Sequence, residues 1–223
     1  MKNLKIITIF VILLSLQCVA LSQDVNWASL QAKQRHIITL HAGVENGVVF
    51  GVRYGYQLKT KMPVILNAEY SFPAGKDLVN DFKTKLGAQI KLYKTGGFQF
   101  SAKVQGVFRR YENSLVRMVN FGSDMSGIVG FYKAKWFVAG EFGFDKAIVT
   151  SFKHTDRYRE IFPGVKDGWY EPATGGNFYY GIQTGHSFKS NDVYLKVGQQ
   201  IEEDFKTKPA LPFYFQIGIN KRL

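Results

Sequence analysis

Residues 211–223, LPFYFQIGINKRL, decide the fold class. Leu211, Phe213, Phe215, Ile217 and Ile219 share one face of an extended chain, and Tyr214, Gln216, Gly218, Asn220 and Arg222 share the other. Successive side chains of a strand point to opposite sides, so a period of two over this length predicts a β-strand. One face is wholly apolar; the other is polar with a glycine. Such a strand fits the wall of a barrel whose outside meets lipid and whose inside is a crowded polar lumen.

The same code runs upstream. Ile38, Leu40, Ala42 and Val44 alternate with Thr39, His41, Gly43 and Glu45. Glu45-Asn46-Gly47 then signals a hairpin, because Asn-Gly supplies the positive φ angles of a tight turn. Later stretches turn outward Phe50, Val52, Tyr54 and Tyr56, then Val64, Leu66, Ala68 and Tyr70, then Leu86, Ala88, Ile90 and Leu92. Phe98, Phe100, Ala102 and Val104 repeat the pattern, as do Val138, Phe142, Phe144 and Ile148. Phe178, Tyr180 and Ile182, and finally Val193, Leu195 and Val197, precede the closing strand. The sixth strand, about 115–132, is the least regular, and a bulge is expected near Gly122-Ser123. Lys146 falls on an apolar face, tolerable only near an interface where its head reaches water.

Ten strands result, with tight connections after the second, fourth, sixth and eighth and longer ones after the third, seventh and ninth. Short turns at one end and longer loops at the other are the habit of outer-membrane barrels. The fold expected over residues 36–223 is therefore all-β: an antiparallel up-and-down transmembrane β-barrel of about ten strands.

The N-terminus carries Lys2 and Lys5, an apolar run over 6–16 and then small residues, the layout of a secretory signal peptide. Cleavage after Ser22 leaves Gln23 first, with cleavage after Ala20 as the alternative. Residues 1–22 are thus read as the signal peptide and residues 23–35 as a periplasmic lead-in with little pattern. Cys18 follows Gln17 rather than a small residue, so lipidation is not expected. Loss of Cys18 with the signal leaves no cysteine for a disulfide, a thiol nucleophile or a metal site. No later stretch approaches the ~20 apolar residues of a membrane helix.

The chain carries a formal charge of +12, and removing Lys2 and Lys5 leaves +10. A basic balance can signal nucleic acid, but export argues against that partner. Lys59, Lys61, Lys94, Lys133, Lys135, Lys189, Lys221 and Arg222 are instead expected at the short turns, with Asp192 opposing. Anionic phospholipid heads favour cations there by about 1 kcal/mol each.

Periodicity alone does not separate a membrane barrel from a soluble one with its apolar faces turned inward. Three features favour the membrane. The polar faces are rich in glycine, and the chain stops on its closing strand. Aromatic residues also mark the strand ends (Tyr56, Phe72, Phe98, Phe131, Trp136, Phe178 and Phe188), as interfacial girdles do. With the signal peptide and the ten amphipathic strands, these features make residues 36–223 resemble the small outer-membrane β-barrel proteins of Gram-negative bacteria, the OmpX, OmpW and OmpA-barrel class. The resemblance implies fold and location and brings no site residues with it. The chain departs from that class at Leu223, where an aromatic is usual.

The predicted lumen holds Arg53, Lys83, Lys85, Lys91, Lys103, Arg109 and Lys196 against Glu45, Glu69, Asp124, Glu141 and Asp145. Buried charges must be paired or hydrated. Two arrangements satisfy that: a salt-bridged plug stiffening a narrow barrel, or a basic pore favouring anions. Ten strands give a bore little wider than the eight-stranded barrels that side chains fill, which favours the plug.

The longest loop, 154–176, sets Tyr158, Arg159, Phe162, Trp169 and Tyr170 among charges of both signs. Aromatics beside arginine on a scaffolded loop are candidates for holding a ligand or partner; the competing reading is a loop folded over its own barrel mouth. Ser151, His154 and Asp156 are the grouping with hydrolase chemistry, though without a glycine elbow or an oxyanion element. His186 and Ser187 are adjacent and so point to opposite faces. The four histidines are too dispersed for a metal site, and no catalytic, metal or cofactor residue is assigned. The function expected is a non-enzymatic structural or adaptor protein of the envelope, in contact with lipopolysaccharide and phospholipid and with another envelope protein through its outer loop. A narrow channel for small anionic solutes and a lipid-modifying hydrolase are the alternatives.

Overall fold

The computed structural model describes residues 25–31, 33–45, 47–75, 79–172, 175–207 and 209–223. The expected signal peptide, its cleavage site and Asn46 of the hairpin turn lie outside these residues. The alternating stretches form β1 (His36–Val44), β2 (Val48–Gln57), β3 (Val64–Pro73), β4 (Asp81–Thr95), β5 (Phe98–Glu112) and β6 (Val116–Tyr132). There follow β7 (Trp136–His154), a short helix α1 (Asp156–Ile161), β8 (Gly168–Tyr170), β9 (Gly176–Phe188), β10 (Asn191–Glu202) and β11 (Phe213–Arg222).

Ten of the strands pair antiparallel in one circuit, and β1 joins β11 from Ile37 opposite Arg222 to Val44 opposite Phe215. Closure leaves the circuit without a bare edge. β9 accompanies β7 only as far as Lys146, opposite Gly176. The three-residue β8 takes over on the same edge, opposite Thr150, Ser151 and Phe152.

The barrel is inside out relative to a soluble one. Leu40 is 62 % exposed, whereas Thr39 and His41 on either side are 2 % and 7 % exposed. On β11, Phe213, Phe215, Ile217 and Ile219 are exposed while Tyr214 and Asn220 are buried. Apolar side chains outside a polar interior are stable where hydrocarbon surrounds them, so this is a transmembrane β-barrel. Around the loop-bearing end runs a chain of rings, Phe50–Phe72–Tyr70–Phe82–Phe108–Phe121–Trp169, with centroids 5.2 to 6.1 Å apart. Phe98, Phe131, Trp136 and Phe188 are exposed at the turn end. Lys146 sits at the loop-end rim, where its ammonium meets Glu203 at 2.5 Å, which reconciles it with the apolar face.

The β6–β7 register shifts where a bulge was expected, between Phe121 and Gly122, but the extra residue is Ile148 of β7 and β6 itself keeps its alternation. A second one was not foreseen. On β4 the register shifts between Lys91 and Tyr93, so Leu92 and Tyr93 are both exposed and strict alternation fails there. Inside, two glycines make room for rings. A Cβ on Gly143 would lie 2.3 Å from Tyr179 Cζ, and one on Gly218 2.4 Å from Tyr194 Cζ.

The turn end is closed from within. Val25 and Trp27 pack with Ile37, Ile65, Tyr132, Phe137, Ala139 and Tyr194 in one buried cluster. Between them Asn26 is fully buried and donates from Nδ2 to Lys133 O and Ser187 Oγ, each at 2.8 Å. Arg222 donates to the carbonyls of Ser29 and Lys189 and lies 3.2 Å from Asp192. Residues expected to lie without pattern beneath the barrel are therefore seated in its base. Arg222 and Asp192, expected among the turn charges, are buried as well: the last strand meets the seated segment there, and its carbonyls require a donor. Lys59, Lys61, Lys94, Lys133, Lys135, Lys189 and Lys221 are exposed.

Candidate functional site

Above this stopper the lumen is crossed by ion pairs. Arg53 meets Glu69 across neighbouring strands β2 and β3 at 2.6 Å, and His41 Nε2 lies 3.9 Å from the same carboxylate. Other pairs skip a strand. Lys85 of β4 reaches Asp124 of β6 at 2.5 Å, Lys103 of β5 reaches Glu141 of β7 at 3.0 Å, and Arg109 of β5 reaches Asp145 of β7. Lys196 of β10 takes the other oxygen of Glu141 at 2.5 Å, and Lys83 holds Glu45 at 2.5 Å. Tyr179 donates its hydroxyl to Asp124 at 2.5 Å.

The strand-skipping has a cause in the register. Lys83 stands directly opposite Arg109, and Asp124 directly opposite Asp145. Like charges so placed repel. Cations therefore bunch on β4 and β5 and carboxylates on β6 and β7, and attraction acts across a chord of the bore rather than along the ladder. Lysine and arginine are long enough to span it. Glu141 is fully buried and also accepts from Ser126 Oγ at 3.1 Å, so it knots three groups together.

All eight lumen residues singled out from the sequence line the interior: Arg53, Glu69, Lys83, Lys85, Lys103, Arg109, Glu141 and Asp145. With Lys196, Glu45 and Asp124, six cations face five carboxylates, an excess of one. The strongly basic bore imagined for an anion pore is thus largely neutralised. Lys91 lies at the base instead, its ammonium 5.2 Å from the centre of the Trp27 ring. Between the pairs remains a chamber of about 100 Å³, reaching Val44, Glu45 and Asn177 at the loop end. A smaller void of about 20 Å³ lies below it, against Val25 and Ile37. Arg53, Lys103 and Gln105 line both and form the septum.

The long loop has its own structure. Asp167 accepts from the backbone N–H and the Nδ1 of His154, each at 2.9 Å, and from Arg159 at 2.5 Å. Those hydrogen bonds from His154, with the Arg159 charge, hold the exposed Asp167 carboxyl below its ordinary value of 3.8. Tyr158 packs between His154 and Phe162, ring centres 4.8 and 5.0 Å away. Trp169 stacks on Phe121 at 6.1 Å and so joins the outer belt of rings, while Tyr170 meets Phe152 edge-on at 5.7 Å. The five loop candidates do not converge on one point: Tyr158, Arg159 and Phe162 belong to the α1 turn, Trp169 and Tyr170 to the wall.

The hydrolase grouping is not assembled. Ser151 faces Val119 and Trp169, His154 lies three residues on and thus on the opposite face, and Asp156 contacts Arg159 at 3.6 Å. The carboxylate on His154 is Asp167, which no local spacing suggested. Sequence reasoning also passed over Asn26, Trp27 and Tyr179. Val25, Trp27 and Leu30, apolar residues in a short leader, were the available signal.

No family model matches the chain, and no curated protein matches it. Among solved structures it is similar to the KdgM porin, with 8 % identity over 84 % of this chain and 99 % of that one, and a TM-score of 0.42. The KdgM porin in complex with disordered oligogalacturonate gives 8 % identity, 84 % and 99 % coverage and a TM-score of 0.40. A mutant of the Rh. blastica porin gives 7 %, 84 % and 98 %, and 0.19. None of these likenesses bears on the narrower OmpX, OmpW and OmpA-barrel class. The chain is a closed, ten-strand antiparallel transmembrane barrel with an occupied lumen.

Proposed function

We propose that the chain is an integral outer-membrane barrel, held shut at rest, acting as a non-enzymatic structural or adaptor component of the envelope. One observation carries this: the seated segment around Asn26 and Trp27, roofed by the Arg53–Glu69 and Lys103–Glu141–Lys196 pairs. A conducting pore needs a continuous wet path, and here an apolar cluster and a charged septum interrupt it in series. Location in the outer membrane is supported by the apolar exterior, the turn-and-loop asymmetry and the signal-peptide layout. The surrounding lipopolysaccharide and phospholipid are its lipid partners, and exposed Phe162 on the outer loop and Trp169 at the rim of the wall offer anchors for a second envelope protein.

A porin-like channel for small anionic solutes is the second reading. It is favoured by the chamber, which is open to the loop end and carries one excess cation, and by a stopper that is a segment rather than part of the wall. Planar-bilayer recording separates the two. The mature wild-type protein is expected to give no stepwise conductance. A steady ohmic channel would overturn the closed reading in favour of the porin. For the adaptor role, an envelope protein crosslinked to wild type is expected to be lost in the Phe162→Ala, Trp169→Ala double variant; unchanged capture would remove the loop from that role.

A further inference from the structure

Interior cations are matched by carboxylates to within one charge, whereas those of the outer wall above the aromatic belt are not. Three rows of outward side chains climb β5, β6 and β7 towards the loop end. The lowest holds Phe108 opposite Phe121, ring centres 5.2 Å apart. Two residues further on, Arg110 is opposite Val119, Val119 opposite Ser151, and Ser151 opposite Trp169. The top row is Glu112, Arg117 and Lys153, each opposite the next. These rows face outward because the residues between them face in: Arg109 reaches Asp145, and buried Asn120 donates to Thr150.

Arg117 and Lys153 are therefore cations placed directly across a strand pair, an arrangement that repels. The nearest candidate to relieve them is Glu112, which accepts from Arg110 at 2.7 Å. Neither Arg117 nor Lys153 makes a salt bridge among the described residues, and Lys153 is exposed. Four residues separate Arg117 from Phe121, roughly 13 Å of strand, or roughly 9 Å of height at a 45° tilt. That is the step from the acyl boundary to the headgroup layer. An anion bridging the two cations would turn their repulsion into two charge-assisted hydrogen bonds, and acyl chains attached to it would lie on Phe108, Phe121 and Trp169.

We propose that this patch binds the phosphate of a phosphorylated glycolipid of the outer leaflet, bridged by Arg117 and Lys153 with its chains on the aromatic ledge. The proposal rests on the outer-membrane reading above. Its test is native mass spectrometry of the mature protein, folded in detergent and offered bisphosphorylated lipid A, the dephosphorylated lipid or inorganic phosphate at equal concentration. Wild type is expected to retain the bisphosphorylated lipid. Binding should fall roughly tenfold or more for the dephosphorylated lipid and for the Arg117→Gln, Lys153→Gln double variant, and less for Trp169→Ala. Equal retention by the double variant, or of the dephosphorylated lipid, overturns the site. Displacement of the lipid by inorganic phosphate overturns the lipid assignment, since it would leave the aromatic ledge without a role. A heat-dependent gel shift of each variant is read alongside. A chain without that shift, and soluble without detergent, would sink the membrane reading and this site together, whereas a folded barrel indifferent to phosphate sinks the site alone.

Discussion

The two ends of the lumen are filled by opposite means. At the turn end, Val25, Trp27, Tyr132, Phe137 and Tyr194 exclude water by packing, with Asn26 fully hydrogen-bonded in their midst. At the loop end, charges of both signs hold one another across an open chamber. The two fillings fail differently. Packing is non-directional, so losing one side chain loosens its neighbourhood. An ion-pair lattice is connected: Glu141 serves both Lys103 and Lys196, and removing it strands two cations together.

Glu141→Ala is expected to have the largest effect. Leaving buried cations without their carboxylate costs about 3–5 kcal/mol, to be read as a lower midpoint of heat-induced unfolding in detergent. A loss under about 1 kcal/mol, the range of exposed pairs, would mean that water already screens the septum. Trp27→Ala should cost about 2–3 kcal/mol of apolar burial, but only in the docking of the leading segment. Protease access near residues 25–35 should rise and transient conductance appear, with the barrel's own midpoint held; a lowered midpoint would make the base part of the global core. The smallest effect concerns the long loop. The Asp167 carboxyl is depressed in the folded loop, so its contribution is present above its ordinary value of 3.8 and is lost as pH falls through the lowered one. Pepsin cleavage within the loop should accelerate across that acid window in wild type. In Asp167→Asn it should already be fast above the window, and an unchanged profile would show that the His154 and Arg159 contacts do not hold the loop.

Much of the fold was legible because a barrel between lipid and lumen writes its two environments into alternate residues, as β11 and β1 show. The register shift beside Gly122 was legible in place only, since its extra residue, Ile148, lies on β7; the Lys91–Tyr93 one was not, because Leu92 and Tyr93 are both tolerable outside. The membership of the lumen could be read from inward positions, but its pairing could not. Lys85 and Asp124 are 39 residues apart, Lys103 and Glu141 38, and both pairs follow from register and bore rather than from neighbouring sequence. The base was hidden for the same reason. Asn26 finds its acceptors 107 and 161 residues away, and three consecutive buried residues carry no period.

Those distant partners also order events during assembly. Lys133 lies in the connection before β7, Ser187 near the end of β9, and Arg222 on β11, which itself must zip against β1. The leading segment has no complete seat until the final strand has been laid down and the seam is sewn. A half-built cylinder therefore trails a loose leader, and the indole of Trp27 passing from water into its pocket marks the moment the ring is whole.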